Sequence, residues 1–278
     1  MKHETGDFEG TGGLRLREQS WLPDGAAKAS VILHHGLWDY SDYYAPFAEE
    51  LTRHGYAVYA FDARGHGHSD GSPAFINSFD EYVADLDIFL KRVRQRANGK
   101  PIFLYGHSLG GLISATYVLA HPQIALRGVI LSGAGLKEGH DVTPLLKKIV
   151  PILGSIAPKL PSYKPDFAFA SRDKTVAKRK LQDPLIDHKG LPARSGAEGL
   201  RAIANVQAKM EEFSAPVLIM HGTDDHWTNN EGSQQLAKRA RSTDKTLKLY
   251  DGFYHELLTD TEKARVWKDV MEWMDARS

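Results

Sequence analysis

The sequence has no cysteine among its 278 residues, which excludes both a disulfide scaffold and a thiol nucleophile. It has no net charge either, since 35 lysines and arginines balance 35 aspartates and glutamates, so we expect no nucleic-acid partner. No apolar run approaches the roughly 18 residues that span a membrane, and residues 1–20 hold no apolar stretch typical of a signal peptide. These absences favour a cytoplasmic protein that does not cross a membrane.

Short apolar segments alternate with segments of helical spacing along most of the chain. The apolar segments are rich in β-branched and aromatic residues, which is typical of strands buried on both faces. Strands that alternate with helices predict an α/β fold with a mainly parallel, doubly wound sheet. Gly55 is expected to close the first helix, and Ser78 is the expected N-cap of the second. The predicted strands cover residues 14–17, 30–34, 56–61, 101–105, 129–131, 216–220 and 246–250, and predicted helices cover 44–54, 78–97 and 261–274.

One stretch, residues 134–210, interrupts this alternation. It contains no recognisable strand, and its prolines at 144, 151, 158, 161 and 165 are expected to divide its first part into short pieces. Open α/β sheets bind ligands at the carboxyl ends of their strands, and a helical insertion here would cover that edge. We therefore predict a core of residues 1–133 and 211–278 and a helical cap of residues 134–210.

Residues 104–111, Leu-Tyr-Gly-His-Ser-Leu-Gly-Gly, join a predicted buried strand to a predicted helix. A Gly-x-Ser-x-Gly sequence in this position is typical of a nucleophile elbow, where the serine stands on a sharp turn. Glycines flank the serine because the turn leaves no room for side chains, and the helix directs its first amides at the same place. The alternative is a glycine-rich loop that starts an ordinary helix. The strand before and the helix after favour Ser108 as a nucleophile.

A serine hydroxyl needs a histidine base, and the histidine needs a carboxylate that holds its tautomer. In folds with this elbow, the acid and then the histidine follow the serine along the chain. His255 lies in a polar loop after the last predicted strand, whereas His226 directly follows the candidate acids and cannot easily face them. Asp224 and Asp225 both lie in the loop after the strand at 216–220, and spacing alone does not choose between them.

Two amide donors are also needed for the oxyanion that forms during attack. The residue after the nucleophile supplies the first, which here is the amide of Leu109. The second is expected from the loop after the strand at 30–34, where Gly36 allows the backbone to turn its amides inward. Leu37 is the predicted second donor. Both leucines would act through the backbone, so their side chains matter only for packing.

A metal site is an alternative use of the many histidines. Residues 66–70, His-Gly-His-Ser-Asp, superficially match the His-x-His-x-Asp of two-zinc hydrolases. Such sites continue with another histidine, where this chain has Gly71, and no downstream cluster has ligand spacing. Short patterns of this kind are weak, so we predict neither a metal nor another cofactor.

Several motifs occur together in one order along the chain. They are His-Gly at 35–36, the loop at 61–69, the elbow at 106–111, Gly-Thr-Asp-Asp at 222–225 and Tyr-His at 254–255, with residues 171–174 and 183–186 in the predicted cap. This combination resembles the monoacylglycerol lipase and lysophospholipase group of α/β-hydrolases over nearly the whole chain. The resemblance implies Ser108 as nucleophile, Asp225 as acid, His255 as base, and the amides of Leu37 and Leu109 as the oxyanion hole.

The sequence departs from this group near the alcohol end of the substrate. The animal enzymes carry a glutamate and an arginine where this chain has Asp39 and Tyr43, and a further histidine where it has Leu258. We take Asp39 and Tyr43 as candidate substrate-binding residues. The departures leave the identity of the alcohol open.

Residues 142–156 are apolar with only two charges. This segment either packs onto the sheet with its apolar face, or part of it lines an acyl tunnel or touches lipid as an interfacial segment. Leu145 and Ile149, with Leu185 further along the cap, are the candidate apolar contacts.

The resulting prediction is a serine hydrolase that cleaves carboxylic esters of lipid-like substrates, first of all a monoacylglycerol into fatty acid and glycerol. A lysophospholipase or a general carboxylesterase is the alternative within enzymes. A ligand-binding module without activity on the same fold is the alternative outside them. Contact of the cap with a membrane and the oligomeric state stay open.

Overall fold

Strands and helices alternate in the computed structural model, which describes residues 1–140 and 142–278. The strands are β1 (Lys2–Glu9), β2 (Arg15–Leu22), β3 (Ala29–His34), β4 (Tyr56–Phe61), β5 (Ile102–His107), β6 (Gly128–Ser132), β7 (Pro161–Tyr163), β8 (Leu191–Pro192), β9 (Val217–Gly222) and β10 (Lys245–Tyr250). The helices are α1 (Ala45–Arg53), α2 (Asp80–Ala97), α3 (Leu109–Ala120), α4 (Pro144–Ile156), α5 (Lys174–Gln182), α6 (Ala193–Lys209), α7 (Asn230–Arg239) and α8 (Lys263–Asp275). The predicted α/β class is confirmed.

Eight strands form one sheet in the order β1-β2-β4-β3-β5-β6-β9-β10. The six strands from β4 to β10 in this order are parallel, and β2 pairs antiparallel with both β1 and β4. The direction of winding reverses between the neighbours β3 and β5. Ligands of such sheets bind outside the carboxyl ends of the strands at this reversal. The loops that follow β3 and β5 therefore lie where a site is expected.

Side chains that alternate along the parallel strands divide the core into two layers. Ile32 and Leu104 belong to the layer that α2, α3 and α7 cover, whereas Val31 and Phe103 belong to the layer that α1 and α8 cover. All four side chains are buried. The central strands are apolar on both faces for this reason, as continuous apolar segments predict.

The amino-terminal residues form a hairpin of β1 and β2, where the sequence predicts only one short strand at residues 14–17. β1 was not predicted, and β2 extends to Leu22 instead of ending at residue 17. Seven of the eight β1 residues are exposed, and only Phe8 is buried. A strand with one buried side chain has no apolar alternation that its sequence could display.

The start of α2 also differs from the prediction. The helix begins at Asp80 with Phe79 as its N-cap, and no side chain caps it. The Ser78 hydroxyl instead lies 3.2 Å from the Asp80 carboxylate and accepts a hydrogen bond from the Asp80 amide. At the end of α1, Gly55 adopts a φ of +84°, as the expected helix stop requires.

Two corrections concern residues 134–210. The segment does contain strands, because β7 and β8 form a short antiparallel pair, although strands of three and two residues leave no periodic signal. Pro151 does not divide the segment either, since α4 starts at Pro144 and continues through Pro151 to Ile156. α4 packs on α6, which packs on α3 of the core. Within the described ranges, no helix is long and apolar enough to cross a bilayer.

Candidate active site

Ser108 stands between the last residue of β5 and the first residue of α3. Its φ of +52° lies in a region that residues other than glycine rarely occupy. A Cβ at Gly106 would lie 2.4 Å from the Gly110 carbonyl oxygen, and a Cβ at Gly110 would lie 2.4 Å from the His34 carbonyl oxygen. Both glycines are therefore required by close backbone approaches. They hold the serine side chain at the carboxyl end of β5.

Asp225 and His255 are bonded to each other in the loops after β9 and β10. The Nδ1–H of His255 donates to Oδ2 of Asp225 over 2.7 Å, and both side chains are buried. The backbone amides of Trp227 and Thr228 donate to Oδ1 of Asp225 over 2.8 and 3.0 Å. Burial alone would raise the pKa of Asp225, but the charge of His255 and hydrogen bonds from His221 and His255 hold it well below the usual range. Asp225 is thus a carboxylate at neutral pH.

The structure separates the two aspartates that spacing leaves equivalent. Asp224 is exposed, and its backbone amide donates to the Phe253 carbonyl. His226 is exposed as well and stacks on Phe169 with ring centroids 3.9 Å apart. Neither residue contacts the imidazole of His255, which bonds to Asp225.

The second nitrogen of His255 is available for the serine. Nε2 is buried and forms no hydrogen bond within the described part of the chain. The end of β6 lies near both residues: the Ser108 amide donates to the carbonyl of Ser132, the last residue of β6, over 3.0 Å, and a Cβ at the next residue, Gly133, would lie 3.4 Å from Nδ1 of His255. With its proton on Nδ1, His255 presents a lone pair at Nε2 that accepts a proton.

A second histidine bonds to the same carboxylate, and sequence reasoning missed it. Nε2 of His221 lies 3.0 Å from Oδ2 of Asp225, and its Nδ1 accepts from the Ser233 hydroxyl over 2.7 Å. His221 is fully buried. Its only sequence signal is its place at the end of a predicted strand, four residues before the acid.

The loop after β3 lies directly against the nucleophile. A Cβ at Gly36 would lie 3.0 Å from Cβ of Ser108. His35 holds this loop, because its Nδ1–H donates to the Gly36 carbonyl over 2.7 Å while its Nε2 accepts from the Ala63 amide over 2.8 Å. Burial and the neighbouring histidines lower the pKa of His35 well below its usual value, so it stays neutral.

The hydrogen bond from His35 to the Gly36 carbonyl determines the direction of the Leu37 amide. The C=O and N–H of a trans peptide point in opposite directions, so the N–H of Leu37 points away from His35. Neither the Leu37 amide nor the Leu109 amide donates a hydrogen bond to any described residue. Leu109 is the first residue of α3, where the amide has no acceptor inside the helix. Two free amides therefore belong to the two segments that flank Ser108.

An apolar cavity of about 200 Å³ opens on Ser108 between the core and α4 and α6. Leu37 and Leu109 line it near the serine, and Val142, Leu146 and Val150 line it from the cap. Its dimensions and lining suit a hydrocarbon chain.

Three predicted apolar contacts do not reach this cavity. Leu145 and Ile149 lie on the opposite face of α4 and are exposed, and Leu185 is also partly exposed. As contacts to an acyl chain, these residues are on the wrong face of α4, because both faces of this helix are apolar and the sequence does not show which one is covered.

A second, more polar cavity of about 180 Å³ lies on the other side of the elbow. Asp39, Tyr43, His107 and Glu256 line it. The Tyr43 hydroxyl donates to Asp183 over 3.0 Å. The two predicted residues of the alcohol end, Asp39 and Tyr43, thus lie together, and both are buried.

A lysine that the sequence analysis did not single out lies beside this cavity. Lys180 of α5 is only 1% exposed, and its Nζ lies 2.9 Å from Oε1 of Glu256 and 3.4 Å from Oδ1 of Asp39. Burial raises the pKa of Asp39 to about 6, although Lys180 partly opposes this effect. A lysine in an amphipathic helix predicts a solvated side chain, so no sequence signal indicates this buried cation.

The histidines of residues 66–70 have other partners. His66 is buried, and its Nδ1 lies 3.0 Å from the Arg64 carbonyl, while Asp70 accepts a hydrogen bond from Arg15. Within residues 1–140 and 142–278, no three histidine or acidic side chains are grouped as a metal ion requires.

Known proteins resemble the chain along its whole length. A family model described as serine aminopeptidase, S33 matches residues 25–262. A monoacylglycerol lipase from Mycolicibacterium smegmatis is 31% identical over 96% of this chain and 95% of its own length, and a human monoglyceride lipase is 29% identical over 93% and 86%. The crystal structure of Paleococcus ferrophilus monoacylglycerol lipase matches with a TM-score of 0.83 and 29% identity over 100% of both chains. A soluble variant of Saccharomyces cerevisiae monoglyceride lipase, solved with a substrate analog, shares the fold with a TM-score of 0.89 and 24% identity over 100% and 96%.

Proposed function

This chain belongs to the serine aminopeptidase, S33 family of α/β-hydrolases, and on this basis we propose that it is a serine hydrolase of monoacylglycerols. The observation that carries the proposal is the state of His255. Its Nδ1–H is held by a buried carboxylate, while its Nε2 is buried without a partner among the described residues. An imidazole in this state is arranged to accept the proton of an elbow serine.

The proposed reaction has two halves. Oγ of Ser108 attacks the ester carbonyl while Nε2 of His255 takes its proton, and the negative oxygen binds to the amides of Leu37 and Leu109. His255 then gives the proton to the leaving alcohol, which leaves an acyl group on Ser108. Water attacks this acyl-enzyme with His255 again as base, and the fatty acid is released. Asp225 holds the imidazole and stabilises its charged form.

The two cavities support a substrate with one apolar and one polar end. An acyl chain fits the apolar cavity between Ser108 and α4, and a small polyol fits the cavity at Asp39 and Glu256. Three carboxylates, Asp39, Asp173 and Glu256, line the polar cavity together with Arg179 and Lys263, and Lys180 adjoins it, so its formal charges balance. The likeness to monoacylglycerol lipases, rather than the charge of this cavity, therefore favours glycerol as the alcohol.

The test compares three substrates of matched acyl length: a monoacylglycerol, a lysophosphatidylcholine and a p-nitrophenyl ester. We expect the highest kcat/KM for the monoacylglycerol, labelling of Ser108 by a fluorophosphonate probe, and loss of both in Ser108→Ala with unchanged circular dichroism. Preference for the lysophospholipid would reject the assignment of the alcohol. A wild-type protein that neither labels nor hydrolyses any ester would instead be a binding module.

We also propose that residues 134–210 act as a cap that contacts lipid surfaces through one face of α4, so that a cytoplasmic enzyme meets its substrate at a membrane. Leu145, Ile149, Ile152 and Ile156 follow helical spacing along this face and are 39–75% exposed. The exposed Lys148 on the same helix suits anionic lipid.

Flotation with vesicles that contain anionic lipid tests this contact. Ile152→Glu is expected to reduce binding without affecting hydrolysis of a soluble ester, because Ile152 lines neither cavity. Leu247→Glu is the control, since Leu247 is exposed on β10, away from the cap. Equal binding of all three proteins would exclude α4 as the contact.

A further inference from the structure

The cap inserts one cation between the two loops that carry the proposed catalytic groups. Lys180 belongs to α5, and its Nζ donates to the Trp38 carbonyl over 3.0 Å and to Glu256 over 2.9 Å, with Asp39 at 3.4 Å. An ammonium has three N–H donors, so these three acceptors satisfy it. Trp38 and Asp39 follow β3, whereas Glu256 follows β10.

The first of these loops is strained at the residue that Lys180 holds. Trp38 has a φ of +53°, a conformation that a bulky residue adopts only where surrounding contacts enforce it. Trp38 directly follows Leu37, whose amide is one of the two proposed oxyanion donors. The Trp38 carbonyl accepts its side-chain hydrogen bond from Lys180. The position of the oxyanion amide thus depends on a strained neighbour that the cap holds.

The second loop is held by the cap at the residue after the proposed base. The Glu256 carboxylate accepts from Lys180, and the Glu256 amide donates to the carbonyl of Ala170 in the cap over 2.8 Å. His255 is the preceding residue. One cap side chain therefore contacts the chain next to the oxyanion donor and next to the base.

We propose that Lys180 is a positioning residue, which holds the oxyanion loop and the histidine loop in register when the cap is seated on the core. This inference rests on the proposed hydrolase function. Lys180 does not touch the reacting atoms, and its effect passes through the Trp38 carbonyl and the Glu256 carboxylate. Its loss should therefore lower kcat for a p-nitrophenyl ester and leave KM nearly unchanged, because the apolar cavity that binds the acyl chain does not include Lys180 and this ester places no polyol beside Asp39 and Glu256.

Removal of the cation alone would leave two buried carboxylates next to each other. Asp39 keeps hydrogen bonds from the Tyr44 hydroxyl and the Tyr40 amide, and burial already raises its pKa to about 6. Protonation of Asp39 can thus balance the charge in Lys180→Met. The double variant Lys180→Met with Glu256→Gln loses one cation and one carboxylate, so it restores the net charge that the three groups carry in the wild type and provides a second protein that folds.

The experiment measures kcat, KM and the unfolding midpoint for wild type, Lys180→Met and the double variant with a p-nitrophenyl ester, which does not use the cavity at Asp39 and Glu256. We expect kcat to fall about tenfold or more in both variants, since a displaced oxyanion donor costs up to about 10²–10³ in rate. The double variant should regain the unfolding midpoint of the wild type and still have the low kcat, because the Trp38 carbonyl lacks its donor.

Arg194→Met is the matched control, since Nε of Arg194 also donates from the cap to a core carbonyl, that of Asn77, over 2.8 Å. It contacts neither catalytic loop, and its kcat should equal that of the wild type. Recovery of kcat together with stability in the double variant would overturn the inference, and so would an unchanged kcat in Lys180→Met. An inactive wild type would reject the proposed function instead, so the two failures are distinguishable.

Discussion

Asp225→Asn replaces the buried carboxylate with an amide, and four neighbouring N–H groups determine the orientation of the new side chain. The backbone amides of Trp227 and Thr228 face Oδ1, and His255 and His221 face Oδ2. Backbone amides cannot lose their protons, so the asparagine oxygen must take the Oδ1 position. Its NH₂ group then faces the two histidines.

This arrangement changes the tautomer of His255. Nδ1 must accept a hydrogen bond from the NH₂ group, so the proton moves to Nε2, the atom that should take the proton of Ser108. We expect kcat to fall by about 10³–10⁴-fold, the range in which the wrong tautomer disables a triad of this kind. KM should change little, because neither cavity includes Asp225.

The assay is steady-state hydrolysis of a monoacylglycerol, with Asp224→Asn as the control. Asp224 is exposed and contributes only its backbone amide to a hydrogen bond, so its kcat should stay within about twofold of wild type. Asp225 is not the acid of the triad if Asp225→Asn keeps kcat within tenfold of wild type, or if Asp224→Asn loses as much.

Three further predictions concern buried histidines. His35→Leu removes the hydrogen bond to the Gly36 carbonyl and should lower kcat about tenfold at constant KM; an unchanged kcat would show that the loop is held otherwise. His221→Phe removes a hydrogen-bond donor to Asp225 and should lower the free energy of unfolding by about 1.5–3 kcal/mol. Because this donor lowers the pKa of Asp225, its loss should also move the acid limb of the kcat/KM profile to higher pH, and an unchanged acid limb would contradict this. Burial lowers the pKa of His34 from 6.5 to about 4, so between these pH values only the unfolded chain takes up this proton. The free energy of unfolding therefore decreases by about 1.4 kcal/mol for each unit by which the pH is lowered. In urea unfolding between pH 7 and 5, His34→Gln should remove this part of the slope, and an unaltered slope would contradict the assignment.

The parts of the fold that the sequence predicts are those in which one physical demand dominates. The parallel strands β3, β4, β5, β6 and β9 are buried at every residue, so they must be mainly apolar. The edge strand β10 was predicted to be buried like them, but its residues up to Leu249 are exposed or half-buried. The elbow needs glycines at 106 and 110 because backbone atoms occupy the space of a Cβ. Local requirements of this kind produce sequence patterns that can be recognised without the structure.

The features that escaped prediction depend on contacts between distant segments. The burial of Lys180 requires two carboxylates and a carbonyl from loops more than 70 residues away in the chain. The outward position of Leu145 and Ile149 depends on which face of α4 meets α6. His221 becomes significant only because the chain turns back to place Asp225 beside it. None of these depends on local propensity, so periodicity cannot reveal them.

The segment between β6 and β9 enters and leaves the core once, while the proposed nucleophile, acid, base and oxyanion amides all lie outside it. The whole cap can therefore be exchanged in evolution as one continuous segment. Such an exchange would change which acyl chains are accepted and would leave the catalytic groups in place. Lys180 sets a condition on that exchange. A transplanted block has to bring a cation to the same place, or the host has to lose its paired acids as well.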